Sequence, residues 1–266
     1  MSPSSSSNAY EELIDDLGAE SAALREILGN LPESSWEAAT PAQGWAIRDQ
    51  ISHIAYFDDA TTLSMTDSDR FIFEAGHLMG RGPDFAADVA KEFRDIPASN
   101  LLRWFDEARA RLILNYRSSD ARRRVPWYGV EMSLMSSATA RLMETWAHGV
   151  DVAEAVGAPI VATTRLRHIA HLGVSTMGFS FILHSLDTPT QQVRVDLEAP
   201  NGTRWSYGPE DTLDVVSGPA LDFCLVVTQR RHLADTSLEV SGVTATTWMG
   251  IAQAFAGPPS NGRPPM

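Results

Sequence analysis

The sequence predicts an α+β protein in which a bundle of four helices precedes a smaller domain of mixed helices and strands. Apolar residues recur at helical spacing in four long segments that end before Gly157. From Gln192 onward the pattern changes to the alternation of apolar and polar residues that is typical of strands. Because short connections make sequential helices neighbours, an antiparallel bundle is the simplest arrangement of the first part.

Four segments carry the periodicity of the predicted bundle. The first helix covers Asn8 to Leu31 and has acidic residues early and a basic residue late, which suits the helix dipole. The second runs from about Trp45 to Ser64, and the third from Asn100 to Arg117. The fourth, from about Met132 to Val156, is followed by a glycine and a proline that predict its end.

Loops and one short helix connect these segments. Pro32 to Gly44 is rich in proline, serine, alanine and glycine and is predicted to be a loop. Gly76 to Pro83 is predicted to be a break, and Phe85 to Arg94 a short helix. A further helix, from about Arg165 to His184, is expected to join the bundle to the second part of the chain.

The second part is predicted to contain strands and two helices. Alternation at residues 193–197, a Pro-Asn-Gly turn and apolar residues returning at 205–215 indicate paired strands. Helices are expected at Pro219 to Thr228 and at Thr244 to Phe255, with a strand at Leu238 to Val240 between them. The expected domain limits are therefore 8–157 for the bundle, 158–186 for a connecting helix, 187–257 for a small α+β domain and 258–266 for a loose tail.

Composition narrows the classes of function. Of the 266 residues 44% are hydrophobic and 21% are charged, as in folded soluble proteins. The net charge of −13 opposes binding to phosphate backbones, so nucleic acid is not an expected partner. No apolar run reaches the roughly 20 residues that cross a bilayer. The first residues do not resemble a signal peptide, so we expect a cytoplasmic protein without a membrane partner.

The single cysteine, Cys224, lies in the apolar stretch LDFCLVV. A lone cysteine cannot form an internal disulfide bond, and free cysteines are among the residues that are most often buried. We therefore predict a small buried side chain without a catalytic role.

The fourth helix contains METWAHGVD, in which Glu144 and His148 lie one turn apart. Ser137, Arg141 and Asp151 share the same helical stripe. One interpretation is a solvated helix face, which charged residues at this spacing often form. The other is a pair of metal ligands, because side chains on successive turns can converge on one ion.

A second candidate, His53, lies among mostly apolar residues of the second helix. It is either a buried core histidine or a metal ligand, and in both cases its two ring nitrogens need partners. Asp49, one turn earlier, is a candidate for one of them, or an acid of the first turn that stabilises the helix dipole. Together with Glu144 and His148, His53 gives two imidazoles and one carboxylate, which leave a fourth position on a zinc ion for water or substrate.

Two motifs extend this hypothesis to a family. GWAIRDQISHIAYFD, followed later by METWAHGVDVAEAVG, resembles the metal-binding domain of the mycothiol-dependent maleylpyruvate isomerase family, within the wider DinB-like superfamily. The resemblance covers most of residues 8–257. It implies a DinB-like bundle that holds a divalent ion, typically Zn²⁺, through His53, Glu144 and His148.

The resemblance also implies a sterol-carrier-like C-terminal domain that closes over the metal and contributes an arginine. Arg230 and Arg231, in TQRRHLADT, are the candidates for this role, although a basic turn after a helix explains them as well.

The activity implied by the resemblance uses a low-molecular-weight thiol, here mycothiol. A thiol bound to Zn²⁺ loses its proton, so the ion presents a thiolate at neutral pH. We therefore expect a metal-dependent thiol S-transferase or isomerase that acts on a small electrophile. Asp49 or Asp151 would orient a ligand imidazole, and Arg230 or Arg231 would bind an anionic group. The candidate pocket residues are Trp127, Tyr128, Ser137 and Arg141.

Two alternatives stay open at the level of sequence. The same metal could activate water instead of a thiol, in a hydrolase, hydratase, lyase or cyclase of a specialised metabolic pathway. The chain could also be a non-enzymatic protein that binds a small ligand, because a fold does not determine a function.

Overall fold

The first unit is a bundle of four long helices to which shorter elements are added. The computed structural model describes residues 3–266, with side chains from Asn8 onward. Its elements are helices and strands α1 (Pro3–Gly29), α2 (Ile47–Thr66), α3 (Ser68–Met79), α4 (Phe85–Glu92), α5 (Ala98–Arg117), β1 (Arg124–Trp127), β2 (Val130–Ser133) and α6 (Leu134–Val156). Helix α2 packs against α5 and α6, and α1 packs against α6 and α5. The predicted α+β class and helical N-terminal part are confirmed.

The core of this unit lies where its long helices meet. Apolar side chains from α1, α2, α5 and α6 are almost completely removed from solvent there, and each buried leucine, isoleucine or phenylalanine contributes about 1.5 to 3 kcal/mol of transfer free energy. These side chains occur at the helical spacing that the sequence shows. The buried members of the cluster are Leu24, Leu28, Trp36, Ile47, Ile51, Ile54, Ala55, Ala98, Leu101, Phe105 and Val152.

One helix and one two-stranded hairpin of the first unit were not predicted. Helix α3 begins directly after α2, because the carboxylate of Asp67 accepts a hydrogen bond from the backbone nitrogen of Arg70 at 3.1 Å and caps a new helix. Strands β1 and β2 pair as an antiparallel hairpin around Gly129, which adopts φ +79°. Helix α6 consequently begins two residues later than predicted, capped by the Ser133 hydroxyl.

The second unit begins at Val161. Its elements are α7 (Leu166–Ser175), α8 (Met177–Leu183), β3 (Arg194–Glu198), β4 (Arg204–Tyr207), β5 (Val215–Pro219), α9 (Ala220–Val227), β6 (Glu239–Ser241) and α10 (Val243–Ile251). The sheet has the order β4-β3-β5-β6. β3 is antiparallel to β4 and parallel to β5, and β5 is antiparallel to β6. Helix α7 packs on α9, and α8 on α10.

The segment expected to connect the domains contains α7 and α8, and both belong to the second unit. Residues of the predicted tail form hydrogen bonds with the rest of the second unit, and the looseness of the tail stays a prediction. Gln229 donates to the carbonyl of Ser260 at 2.7 Å, and Gln253 donates to that of Pro258 at 3.2 Å. The second of these bonds satisfies the amide nitrogen of Gln253, a buried side chain.

Cys224 is fully buried in α9, as predicted. Burial raises the pKa of its thiol far above the ordinary range, so the thiolate does not form at neutral pH. No helix within residues 3–266 has both the length and the apolar character required to cross a membrane.

Candidate metal centre

Three donor atoms meet between α2 and α6. The Nε2 atom of His148 lies 3.1 Å from Oε2 of Glu144, and Nε2 of His53 lies 3.4 Å from the same oxygen. One ligand atom from each residue lies within 4.8 Å of the other two. The structure therefore brings together the three residues that the sequence analysis selected.

The polar stripe of α6 is buried, so its interpretation as a solvated helix face is wrong. His148 is 7% exposed, and Ser137, Arg141 and Asp151 are similarly buried. Only the Glu144 side chain reaches 22% exposure. Because buried polar groups need partners, this stripe must satisfy its hydrogen bonds within the bundle or with a bound ion.

The geometry fits a small cation. Zinc binds imidazole nitrogen and carboxylate oxygen at roughly 2.0 to 2.2 Å, so neighbouring ligands of a tetrahedron lie roughly 3.3 to 3.6 Å apart. The separations of 3.1 and 3.4 Å between the imidazole nitrogens and Glu144 are close to this range. Two imidazoles and one carboxylate also leave a coordination position open, as in catalytic zinc sites.

The charge states also suit a cation. Burial, reinforced by the neighbouring His148, lowers the pKa of His53 to about 4, so this imidazole is neutral at pH 7 and keeps a lone pair. Burial alone raises the pKa of Glu144, but its hydrogen bonds and charge interactions with His148 and His53 outweigh this and hold it well below its ordinary value. The centre therefore contains a stable carboxylate.

Aromatic rings surround the two imidazoles. Trp45 stacks on His148 with ring centroids 5.7 Å apart, and its edge contacts His53 at 5.4 Å. Phe57, one turn after His53, packs on that imidazole at 4.6 Å. The rings restrict the orientations of the ligands and reduce the access of water.

Sequence reasoning missed two residues of this centre, Trp45 and Gln50. Gln50 is completely buried, and its Oε1 forms a short hydrogen bond with Nδ1 of His148. The spacing in the sequence could have identified Gln50, because it precedes His53 by three residues and so lies on a neighbouring part of the same helix face. Trp45 was visible at the start of the first motif, immediately before the helix.

Of the two roles predicted for Asp49, the structure supports that of an acid in the first turn of its helix. Its Oδ2 accepts a hydrogen bond from the backbone nitrogen of Ala46 at 2.8 Å, and its carboxylate pairs with Arg94 at 2.6 Å. Asp49 therefore caps α2 and does not orient His53. The Nδ1 atom of His53 is buried without a hydrogen-bond partner among residues 8–266. Asp151 is buried as well, and its role stays a prediction.

Ser137 and Arg141 have hydrogen-bond partners inside the bundle, and their role as pocket residues stays a prediction. The Ser137 hydroxyl shares a 2.8 Å hydrogen bond with the Tyr116 hydroxyl. Arg141 donates to Asp58 at 3.0 Å and to the carbonyl of Ile54 at 3.3 Å. A buried guanidinium requires such a carboxylate, which explains why this residue turns toward the interior.

The remaining pocket candidates, Trp127 and Tyr128, lie in the hairpin of the first unit. Trp127 stacks on Phe71 with ring planes 9° apart, so it serves packing. Tyr128 lines a cavity of about 260 Å³ next to α2 and α3. Its ring also contacts Phe57 at 5.7 Å, which in turn packs on the ligand His53.

Arg230 and Arg231 follow α9 in the second unit. Arg230 donates to the carbonyl of Thr228 at 2.8 Å, and its guanidinium lies 6.0 Å from the centre of the Phe255 ring. Their predicted role toward a substrate stays a prediction.

Comparison with known proteins identifies the family. The family model of the mycothiol maleylpyruvate isomerase N-terminal domain matches residues 17–153. Two uncharacterized proteins of Mycobacterium tuberculosis, MT0041 and Rv0036c, are each 42% identical to this chain over 250 residues, which cover 94% of this chain and 97% of theirs.

Solved structures agree on the fold. Crystal structures of the mycothiol-dependent maleylpyruvate isomerase and of a point mutant have TM-scores of 0.58 and 0.59, each at 17% identity, and the match covers 88% of this chain and 94% of theirs. At this identity the similarity shows the fold alone. The family match and the relatives confirm the resemblance inferred from the two motifs, and the chain belongs to the family of the mycothiol maleylpyruvate isomerase N-terminal domain.

Proposed function

We propose that this protein is a metal-dependent enzyme of small-molecule metabolism that activates a low-molecular-weight thiol, mycothiol, for reaction with an electrophilic substrate. The reaction is either transfer of the thiol or an isomerisation through a transient adduct. The observation that carries the proposal is the convergence of His53, Glu144 and His148, whose ligand atoms lie within 4.8 Å of one another. The name of the family supports mycothiol as the co-substrate.

The three residues would hold a divalent ion, for which we propose Zn²⁺. His53 offers a neutral imidazole nitrogen, His148 offers a second imidazole nitrogen, and Glu144 offers the negative charge that binds the ion more firmly. When bound, such an ion lowers the pKa of a coordinated thiol, so that a thiolate forms at neutral pH. Trp45 and Phe57 cover the imidazoles and limit the approach of water.

An external thiol is consistent with the chemistry of the chain itself. Cys224 is fully buried and its thiol pKa is raised, so the chain does not supply a nucleophilic thiolate. We further propose that Arg230 or Arg231 binds an anionic group of the substrate or the thiol, and that Asp151 orients a ligand imidazole. Tyr128, in the wall of the cavity beside α2, is proposed to contact the substrate.

Elemental analysis tests the metal centre first. Protein purified without chelators should contain close to one divalent ion per chain, and the variant His53→Gln should lose most of it. The control is His77→Gln, because His77 lies on the exposed side of α3 and bonds only to the carbonyl of Phe73 among the contacts described. Equal metal content in all three proteins would contradict the assignment.

A second experiment tests the use of a thiol. The metal-loaded protein is incubated with an electrophilic dye and either mycothiol or buffer, and consumption of the dye is followed. We expect consumption that depends on both mycothiol and His53. Turnover of substrates without mycothiol, with the metal still required, would favour the alternative in which the centre activates water.

A further inference from the structure

We infer that Thr40, Gln50 and the backbone carbonyl of Trp45 form a hydrogen-bond relay that fixes the proton of His148 on Nδ1 and so presents its Nε2 to the metal. In this role Gln50 and Thr40 are positioning residues, which act through His148. The inference deepens the proposed function, because it rests on His148 being a metal ligand. The hydrogen bonds on which it rests, however, are formed without any bound ion.

The relay consists of three consecutive hydrogen bonds. The Thr40 hydroxyl donates to the carbonyl of Trp45 at 2.9 Å. The Gln50 amide nitrogen donates to the Thr40 hydroxyl oxygen at 2.8 Å. The Gln50 amide oxygen then meets Nδ1 of His148. All three side chains are buried.

The donor-to-acceptor direction of these hydrogen bonds follows from the carbonyl of Trp45. A backbone carbonyl can only accept hydrogen bonds, so the Thr40 hydroxyl must use its single proton on Trp45. The hydroxyl oxygen therefore accepts from Gln50, which requires the amide nitrogen of Gln50 to face Thr40. The amide oxygen must then face His148, and a hydrogen bond forms only if Nδ1 carries the proton.

Burial makes the opposite polarity unfavourable. Gln50 is 0% exposed and His148 7%, so water does not readily replace a lost partner. If the Gln50 amide were flipped, its oxygen would face the Thr40 hydroxyl oxygen, and two acceptors would meet there. Its nitrogen would face Nδ1 of His148, and two donors would meet there whenever Nδ1 carries the proton. An unsatisfied buried polar group costs about 1 to 3 kcal/mol, which favours one tautomer over the other by roughly 5- to 160-fold.

The fixed tautomer has a consequence for the metal centre. With the proton on Nδ1, the lone pair of Nε2 points toward Oε2 of Glu144, only 3.1 Å away. Two acceptors at this distance repel each other unless a positive species lies between them. The relay therefore makes this pair of atoms a site for a cation or a proton.

The imidazoles of His148 and His53 differ in the hydrogen bonding of their Nδ1 atoms. The Nδ1 atom of His53 has no hydrogen-bond partner among residues 8–266. Its ring packs against Trp45 and Phe57, and its Nε2 atom lies 3.4 Å from Oε2 of Glu144. His148 is thus held through a hydrogen bond at its Nδ1 atom, as ligand histidines in metal sites usually are, whereas Nδ1 of His53 is not.

The loop before α2 holds the relay in place. Its backbone is closed by a hydrogen bond from the nitrogen of Thr40 to the carbonyl of Trp45 at 2.8 Å, beside a bridge between Ala39 and Ala46. Gly44 adopts φ +78°, which the turn requires and which side chains rarely adopt. One loop therefore supplies both the relay and the Trp45 ring that stacks on His148.

Nitrogen-15 NMR of metal-free protein tests the relay directly. At a pH above the ordinary imidazole pKa, wild-type His148 should show the tautomer with the proton on Nδ1. Gln50→Leu should give a mixture of tautomers, whereas Gln50→Glu, which keeps an acceptor, should retain the wild-type form. Thr40→Val removes the group that orients Gln50 and should also give a mixture, so the inference stays testable if Gln50→Leu does not fold.

Metal affinity, measured by competition with a chromophoric chelator, provides the second readout. Loss of such outer hydrogen bonds typically weakens metal binding about 10- to 100-fold, and we expect this for Gln50→Leu. The matched control is Gln253→Leu, which removes an equally buried glutamine from the second unit and should leave the affinity and the tautomer unchanged.

The outcomes separate the relay from the proposed function. Wild-type His148 with its proton on Nε2, or an unchanged tautomer in Gln50→Leu and Thr40→Val, would overturn the relay even if metal binds. Failure of wild-type protein to bind any divalent ion would instead overturn the proposed metal centre, while the tautomers would still decide whether the relay sets the proton of His148.

Discussion

Asp58 holds together a buried ion network that joins the long helices of the first unit. Its carboxylate accepts hydrogen bonds from Arg109 at 2.7 and 3.1 Å and from Arg141 at 3.0 Å. Arg109 also donates to Ser21 and Thr145. The network thus links α1, α2, α5 and α6. We predict that Asp58→Asn strongly destabilises the first unit.

The magnitude follows from charge and burial. Asp58 is 0% exposed and the side chains of both arginines are 5% exposed, so water cannot replace the lost carboxylate. Breaking a buried ion pair by removing one partner costs about 3 to 5 kcal/mol, because the other charge is left uncompensated. In the Asp58→Asn variant two guanidinium groups lose one carboxylate. For a unit of this size the melting temperature should fall by roughly 6 to 20 °C.

Urea unfolding, followed by hydrogen exchange of peptides from α2 and α6, measures this cost in the first unit. Asp59→Asn is the matched control, because the Asp59 side chain is 39% exposed and its pair with Arg111 is worth at most about 1 kcal/mol. Adding Arg141→Met to Asp58→Asn should restore part of the stability by removing one unpaired charge. The reasoning is refuted if Asp58→Asn and Asp59→Asn destabilise the unit equally.

Three further predictions concern pH, the cysteine and one turn. The pKa of His53 is about 4 in the folded protein against an ordinary 6.5, so the unfolded chain binds more protons between these pH values. The free energy of unfolding of metal-free protein should therefore fall by on the order of 3 kcal/mol as the pH falls from 6.5 to 4. Urea titrations should show a smaller decrease for His53→Gln, and an equal decrease would exclude His53 as its origin. Because burial raises the pKa of the Cys224 thiol, iodoacetamide should modify native protein far more slowly than urea-unfolded protein, as mass spectrometry can measure, and similar rates would contradict its burial. Gly208 adopts φ +79° and a Cβ there would lie 2.3 Å from the carbonyl oxygen of Val193, so Gly208→Ala should destabilise the second unit by more than about 1 kcal/mol in calorimetry, whereas Gly250→Ala, in open space, should not.

Much of the fold and the metal ligands could be predicted from local pattern. The helical spacing of apolar residues identified the long helices to within a few residues, because each must bury one continuous face. The four-residue separation of Glu144 and His148 was sufficient to place both on one side of α6. The pairing of this motif with that around His53 was sufficient to predict the family.

Short elements were harder to predict, because local pattern does not specify their partners. Each strand of the hairpin around Gly129 has only four residues, too few for a clear alternation. Helix α3 was missed because Asp67 ends one helix and caps the next without an intervening loop. Both elements depend on contacts with α2 that single segments do not reveal.

The sequence by itself determined the class of the fold, the long helices and the three ligands of the candidate metal centre. Only the tertiary structure decided which neighbouring polar residues serve that centre: Gln50 reaches His148, whereas adjacent Asp49 caps its helix and Arg141 binds Asp58. The physical reason is that periodicity defines the angle of a side chain around its own helix axis. The partner at that angle belongs to another helix or loop, whose position is set by the packing of the whole bundle.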